Sequence, residues 1–141
     1  DVDDDHPSWS PDGSRIVFDT ITTSGSAIYL INADGSGLSL VIDNGMINQE
    51  PVFSQDGGRI AYVSSGTGNF EIYLVNPNGS GQTQLTNLGL NAFSPDWSND
   101  GFWLVFASRL SEQREIYRID ANGRNPINLT NNAVDDSDPT W

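Results

Sequence analysis

The residues of this 141-residue chain best equipped for chemistry are its carboxylates, which outnumber its bases 19 to 6 and leave a formal net charge of −13. The densest group opens the chain: Asp1, Asp3, Asp4 and Asp5, followed by His6. Acids at loop positions 1, 3, 5 and 12, here Asp1, Asp3, Asp5 and Asp12, imitate a calcium loop of the EF-hand type, in which carboxylate oxygens surround a hard cation. His6 stands where that loop requires glycine and Pro7 follows at once, so an EF-hand is not expected. A calcium site of another kind stays open, because a second acidic group, Asp135, Asp136 and Asp138, stands near the other end.

Other chemistries fail on inventory. His6 is the one histidine, no Gly-x-Ser-x-Gly elbow occurs, and a Ser-His-Asp triad would have to be built around that single imidazole. Gly35-Ser36-Gly37, Gly66-Thr67-Gly68 and Gly79-Ser80-Gly81 lack the third glycine and the following helix of a dinucleotide site; hairpin turns account for them. With no cysteine and one histidine, a zinc site of the usual ligands cannot be assembled, and no disulfide framework exists. No catalysis is expected, and no cofactor beyond the calcium ion already raised. All six bases are arginine, too few for the basic stripe that phosphates need, so neither nucleic acid nor an anionic membrane surface is expected as a partner. No apolar run approaches the ~18 residues of a membrane helix, and the acidic first residues are the reverse of a signal peptide's basic start. A soluble, mature-type or trimmed chain is expected, with 36% hydrophobic residues and four tryptophans available for a core.

What positions these residues is a repeat. Pro7-Ser8-Trp9-Ser10-Pro11-Asp12-Gly13 returns as Pro51-Val52-Phe53-Ser54-Gln55-Asp56-Gly57 and as Pro95-Asp96-Trp97-Ser98-Asn99-Asp100-Gly101, then starts again at Pro139-Thr140-Trp141, always 44 residues on. Ile28-Tyr29-Leu30 recurs in the same phase as Ile72-Tyr73-Leu74 and Ile116-Tyr117-Arg118, and Leu85-Thr86 as Leu129-Thr130, weakened to Val41-Ile42 in the first repeat. The apolar runs are short, rich in β-branched and aromatic residues and bounded by Gly, Asn, Asp and Pro, which is strand chemistry; no 3.6-residue period is sustained.

Four strands fit each repeat. The first is the short Pro-x-aromatic-Ser segment, and a Ser-x-Asp-Gly turn leads to the second at Arg15 to Phe18, Arg59 to Tyr62 and Trp103 to Phe106. The third runs over Ala27 to Asn32, Glu71 to Asn76 and Glu115 to Asp120, into Asp34-Gly35, Asn78-Gly79 and Asn122-Gly123, dipeptides that favour a type I′ hairpin. The fourth follows at Leu38 to Ile42, Gln82 to Thr86 and Pro126 to Thr130. The expected fold is therefore all-β: propeller blades of four antiparallel strands, at about 7–50, 51–94 and 95–138, plus a duplicated inner strand at 139–141. The phase-locked aromatics are expected between blades, and Asp12, Asp56 and Asp100 in turns that bind local amides.

In such a blade the first-to-second and third-to-fourth turns share one rim, and here they are nearly uniform. The opposite rim carries 21–26, 65–70 and 109–114 together with the connections 43–50, 87–94 and 131–138, and these differ in every blade. Specificity resides in varied loops on a constant scaffold, so a protein or peptide is expected there, with Asp3, Asp4, His6, Gln49, Glu50, Phe70, Phe93, Asp135, Asp136 and Asp138 as candidate contacts. Val2 to Pro7 matches Val134 to Pro139 in phase, which assigns Asp3, Asp4, Asp135 and Asp136 to blade connections as the candidate calcium ligands.

Pro-Ser-Trp-Ser-Pro-Asp-Gly-Ser-Arg-Ile-Val-Phe from Pro7, followed by Ile-Tyr-Leu-Ile-Asn-Ala-Asp-Gly-Ser-Gly from Ile28, resembles the TolB-type propeller repeat, and the resemblance covers essentially the whole chain. Departures are Gln55 and Asn99 for the turn proline, Trp103 for the arginine, and the missing Leu-Thr of the first blade. The resemblance implies a periplasmic or extracellular scaffold bound by other proteins. It also admits the propeller portion of a prolyl-oligopeptidase-like peptidase or a sugar lyase, or a reconstructed repeat fragment without an evolved ligand. Three blades are fewer than the roughly four to eight that close a ring. Self-association of two copies into a six-bladed homodimer is therefore expected, with Pro139-Thr140-Trp141 of one copy and Pro7-Ser8-Trp9 of the other matched to one slot; excision from a longer natural chain is the rival reading.

Overall fold

The computed structural model describes residues 3–89, 91–109 and 113–141. Asp1 and Val2 of the acidic opening, Leu90 in the connection 87–94, and Leu110, Ser111 and Glu112 in the loop 109–114 lie outside the described residues.

Twelve strands among the described residues form three antiparallel sheets, each a meander in chain order. The first contains β1 (Asp4–Trp9), β2 (Arg15–Thr22), β3 (Gly25–Asn32) and β4 (Ser39–Ile42); the second β5 (Asn48–Phe53), β6 (Ile60–Ser64), β7 (Glu71–Val75) and β8 (Thr83–Gln84). The third contains β9 (Ala92–Trp97), β10 (Trp103–Ser108), β11 (Glu115–Asp120) and β12 (Ile127–Asn128). Alternation along β2, β6 and β10 sends successive side chains to opposite sheet faces, and the middle blade meets a neighbouring blade on both. Val17, Ile28, Leu30 and Val41 pack on Phe53, Ile60, Tyr62 and Val75. One period later Ala61, Ile72, Leu74 and Leu85 pack on Trp97, Leu104, Phe106 and Ile119. Phe53, Tyr62, Tyr73, Trp97, Phe106 and Tyr117 thus lie at junctions, as their spacing predicts, whereas Phe18 and Tyr29 stack on each other outside them and Trp9 is exposed.

Two expectations are corrected. The hairpins at Asp34, Asn78 and Asn122 are not type I′, which needs positive φ at both central residues. Only the glycines take it, with φ of 83° at Gly35, 79° at Gly79 and 78° at Gly123. Asn32 accepts from Gly35 N and donates its own N–H to Ser36 O, which makes a three-residue loop with glycine in the left-handed position. The inner strands also begin upstream of the Pro-x-aromatic segment, so Asp4, His6, Gln49, Glu50 and Phe93 belong to β1, β5 and β9 rather than to free connections.

The uniform turns are closed by their own side chains. Ser10 Oγ, Ser14 Oγ and Ser14 N all donate to Asp12 Oδ1, and Ser10 N donates to Arg15 O. Ser54 with Asp56 and Ser98 with Asp100 repeat the arrangement. These bonds draw the Asp12 carboxyl from 3.8 down to about 2, and Asp56 and Asp100 downward in the same way.

The Leu-Thr landmark has a structural partner. Thr86 Oγ donates to the carboxylate of buried Glu71, whose other oxygen accepts from Leu88 N and Gly89 N, pinning the outer strand to β7. Thr130, Asn132 N and buried Glu115 repeat the clasp. In the first blade both partners are apolar, Ala27 and Ile42, and both are buried.

Candidate functional site on the inner strands

Proline sets the geometry of the inner strands. Having no N–H, it cannot join a ladder on that side, and the pairing steps over it: Asp5 faces Asp19 and Ser8 faces Val17, leaving His6 and Pro7 opposite Phe18 alone. The second blade has the same shift between Gln49 and Val52, and the third between Phe93 and Asp96. The residue before proline in each bulge takes a left-handed backbone, with φ of 49° at His6, 54° at Glu50 and 50° at Ser94, and Asp138 before Pro139, in the same phase but outside any strand, has φ of 51°. Bulky residues rarely adopt positive φ, and a following proline disfavours helical conformations further, so each carries on the order of 1–3 kcal/mol of strain.

These four positions are joined into one polar line from blade to blade. His6 Nδ1 lies 2.8 Å from Asp19 Oδ1, the same oxygen that accepts from Glu50 N at 3.0 Å. The Glu50 carboxylate accepts from Ser94 N with one oxygen and from Gln49 Nε2 with the other. Ser94 Oγ donates to Asp138 Oδ1 at 3.0 Å, and Ser137 Oγ to its second oxygen. Burial pushes the Asp19 carboxyl up against the pull of His6, whereas the hydroxyls of Ser137 and Ser94 hold Asp138 low. Beside Ser94, Phe93 stacks obliquely on Phe70 with ring centres 5.2 Å apart.

The remaining candidates are dispersed. Asp4 accepts from Thr20 Oγ, and the Asp3 carbonyl from Ile21 N. Asp135 accepts from Arg114 N and Arg109 Nη2, which keep its carboxyl below the usual range, and Asp136 accepts from Asn132 Nδ2. Among the described residues no three His, Asp or Glu side chains are placed to hold a metal ion, so Asp3, Asp4, Asp135 and Asp136 do not share a site within one chain. The expected contacts His6, Gln49, Glu50 and Asp138 do converge on the inner line, with Phe70 and Phe93 beside it.

A family model described as the TolB beta propeller domain matches residues 4–141. The chain belongs to the TolB β-propeller family. The structure resembles a putative TolB from Agrobacterium tumefaciens with a TM-score of 0.81 and 26% identity, over 86% of this chain and 47% of that one. TolB from Acinetobacter baumannii aligns with a TM-score of 0.81 at 23% identity, over 94% of this chain and 33% of that one. The chain thus spans less than half of either TolB. An oligogalacturonate lyase in complex with manganese has the same fold, with a TM-score of 0.71 at 16% identity, over 88% of this chain and 40% of that one. No curated protein matches. A fold found in both settings leaves function to be argued from the site.

A cleft of about 550 Å³ in this family member lies on the opposite rim, between the Ser54-Gln55-Asp56 and Asn99-Asp100-Gly101 turns. A similar groove separates the Ser10-Pro11-Asp12 turn from Gln55-Asp56-Gly57. A recess that recurs at successive junctions follows from the repeat, and the inner line, whose side chains change from blade to blade, is the better site. Sequence reasoning missed Asp19, Ser94 and Ser137 on the line, and Asp96 beside it, whose Oδ2 accepts from Thr140 Oγ1 and Trp141 N. Asp19 was signalled as the acid that ends the apolar run Ile16 to Phe18, Ser94 as the phase-mate of His6 and Glu50, and Asp96 as an acid in the phase of Ser8.

Proposed function

We propose that this TolB-family chain is a non-catalytic binding or scaffold module, acting in the periplasm or outside the cell, that takes a protein or peptide on its inner-strand rim. The observation that carries the reading is one strained backbone conformation held at four repeat-related positions with four different side chains, His6, Glu50, Ser94 and Asp138. Strain of this kind persists where the surroundings impose it and clusters at ligand sites. A fixed backbone with varied side chains is what a recognition surface on a constant scaffold requires.

The chemistry of the rim favours a partner rich in cations and hydrogen-bond donors. Glu50, Asp4, Asp96 and Asp138 supply carboxylate acceptors, the net charge of −13 attracts basic segments, and Phe70 with Phe93 offers aromatic surface beside them. His6 is oriented by Asp19 and presents its imidazole on the same line.

Peptides selected against the immobilised chain from a random display library supply the test, with the bound peptide mapped by amide chemical-shift changes. Changes are expected at 49–50, 93–94 and 137–138, and Glu50→Gln should weaken binding about tenfold, the loss of one charge-assisted contact. Changes confined to the turns at 10–14, 54–58 and 98–102 would contradict the reading.

A further inference from the structure

The chain holds three Asn-Gly pairs, Asn44-Gly45, Asn78-Gly79 and Asn122-Gly123. In such a pair the glycine amide nitrogen, with no Cβ beside it, can attack the asparagine side-chain carbonyl and close a succinimide ring. The pairs at Asn78 and Asn122 are shut off from this reaction. Gly79 N donates to Asn76 O at 2.8 Å and Gly123 N to Asp120 O at 2.9 Å, so each nitrogen is committed to the carbonyl that closes its turn. A Cβ on Gly79 would lie 2.7 Å from Val41 O, and one on Gly123 would lie 2.5 Å from Leu85 O. Both hairpins therefore press on the outer strand of the preceding blade and have no room to change shape.

Asn44-Gly45 differs on every count. It lies in the exposed connection between β4 and β5, and nothing lies within 4 Å of the Cβ position of Gly45. Among the described residues Gly45 N donates only to Asp43 Oδ1, at 3.3 Å, which sets a carboxylate where the nitrogen must give up its proton. Asn44 Oδ1 accepts from Met46 N at 3.2 Å and from Asn48 Nδ2 at 2.9 Å. Two donors on that oxygen draw electron density from Cγ and stabilise the negative charge that gathers there as a nitrogen adds.

The other two pairs have at most half of this arrangement. Asn78 Oδ1 accepts from Ser80 N and Ser80 Oγ, but the neighbouring nitrogen meets a carbonyl in place of a carboxylate. In the phase of Asp43-Asn44-Gly45 the later connections carry Asn87-Leu88-Gly89 and Asn131-Asn132-Ala133, which lack the pair. Electrophile, nucleophile and proton acceptor thus meet at one place in the repeat.

We propose that Asn44 is a self-modification site, converted to aspartate and isoaspartate by the folded loop that holds it. Gly45 N bonds to Asn44 Cγ while its proton passes to the Asp43 carboxylate. The Cγ–Nδ2 bond then breaks, and ammonia leaves with that proton. Water opens the succinimide at either carbonyl, giving aspartate or, with the main chain rerouted through the side-chain carbon, isoaspartate. The loop is tied to two blades: Met46 O accepts from Ser26 N of the first, and Ile47 exchanges bonds with Ser65 of the second. Asn44 also orients buried Asn48, whose amide holds Ser26 O and Ser64 Oγ. Conversion therefore adds a negative charge and, as isoaspartate, loosens the junction between the first two blades. The claim is independent of the ligand at the inner rim.

Incubation of the full chain in mildly alkaline buffer, followed by peptide mapping with isoaspartate detection, tests it. Asn44 should convert about tenfold faster than Asn78 or Asn122, and in denaturant the three should convert at similar rates. Asp43→Ala, at an exposed position, should slow Asn44 about tenfold and leave the other two unchanged, with unchanged circular dichroism showing that the variant folds. Asn44→Gln, which would have to close a larger ring, should abolish conversion in the loop. Amide exchange at Ser26 and Asn48 should quicken as isoaspartate accumulates in the unsubstituted chain and stay constant through the incubation in Asn44→Gln. Conversion of Asn78 or Asn122 as fast as Asn44 in the folded chain overturns the proposal. So does a preference for Asn44 that persists at full size in denaturant, or an Asp43→Ala chain that converts Asn44 at the original rate.

Discussion

Carboxylates on the turn rim and carboxylates on the strands solve different problems. Asp12, Asp56 and Asp100 bond only to serine hydroxyls and amides within two residues, so each turn is complete in itself. Glu71 and Glu115 tie an outer strand to its sheet across 15 to 18 residues, and Glu50 ties blade to blade across 44. The first kind makes the scaffold repeat; the second makes separate segments one body and, on the inner line, gives every blade a distinct side chain to present.

This contrast can be broken by substitution. Glu71→Ala strips the buried Thr86 hydroxyl and the amides of Leu88 and Gly89 of their acceptor, and should lower unfolding free energy by about 3 kcal/mol in urea titration. Adding Thr86→Ile recreates the apolar pair of the first blade, Ala27 with Ile42, and should recover part of that loss, because matched apolar partners replace one of the three orphaned donors. Glu50→Ala removes a charge-assisted bond between two blades and should cost about 2 kcal/mol. Asp56→Ala disturbs a single exposed turn and should cost no more than about 1 kcal/mol.

The smallest effect sharpens the contrast through pH. The turn acids have folded values below their ordinary range, Asp12 falling from 3.8 to about 2, so their stabilisation is complete above pH ~4 and is lost as pH falls toward 2. Asp19, raised by burial, has the reverse sign: its protonation on acidification favours the folded chain. Thermal melts should show the midpoint falling mainly between pH 4 and 2, and Asp19→Asn should leave that window in place.

The period, the all-β class, the second and third strands and the junction aromatics were legible because they depend on patterns that recur in phase. The start of the inner strands was not. Charged residues before a proline read as a connection, and only the ladder shows that β1, β5 and β9 pair on both sides of a bulge that leaves His6, Glu50 and Ser94 left-handed. The hairpin type was misjudged because Asp-Gly and Asn-Gly suit two loops, and the bond from Gly35 N to Asn32 O selects the longer one. The change from Leu-Thr to Val41-Ile42 was visible, but its meaning lay in a second column, where Glu71 and Glu115 give way to Ala27. Of the candidate site, His6, Gln49, Glu50 and Asp138 converge, while the two acidic pairs assigned to calcium are divided between the first blade, where Asp4 bonds Thr20, and the far side of the third, where Asp135 and Asp136 bond Arg109, Arg114 and Asn132.

The most direct test of the account is a matched pair of isothermal titrations, in which Glu50→Gln on the inner line and Asp56→Asn on the turn rim are each titrated with one selected peptide. Glu50→Gln should raise the dissociation constant about tenfold and Asp56→Asn should leave it unchanged. The reverse order would show that partners bind the uniform rim and would contradict it.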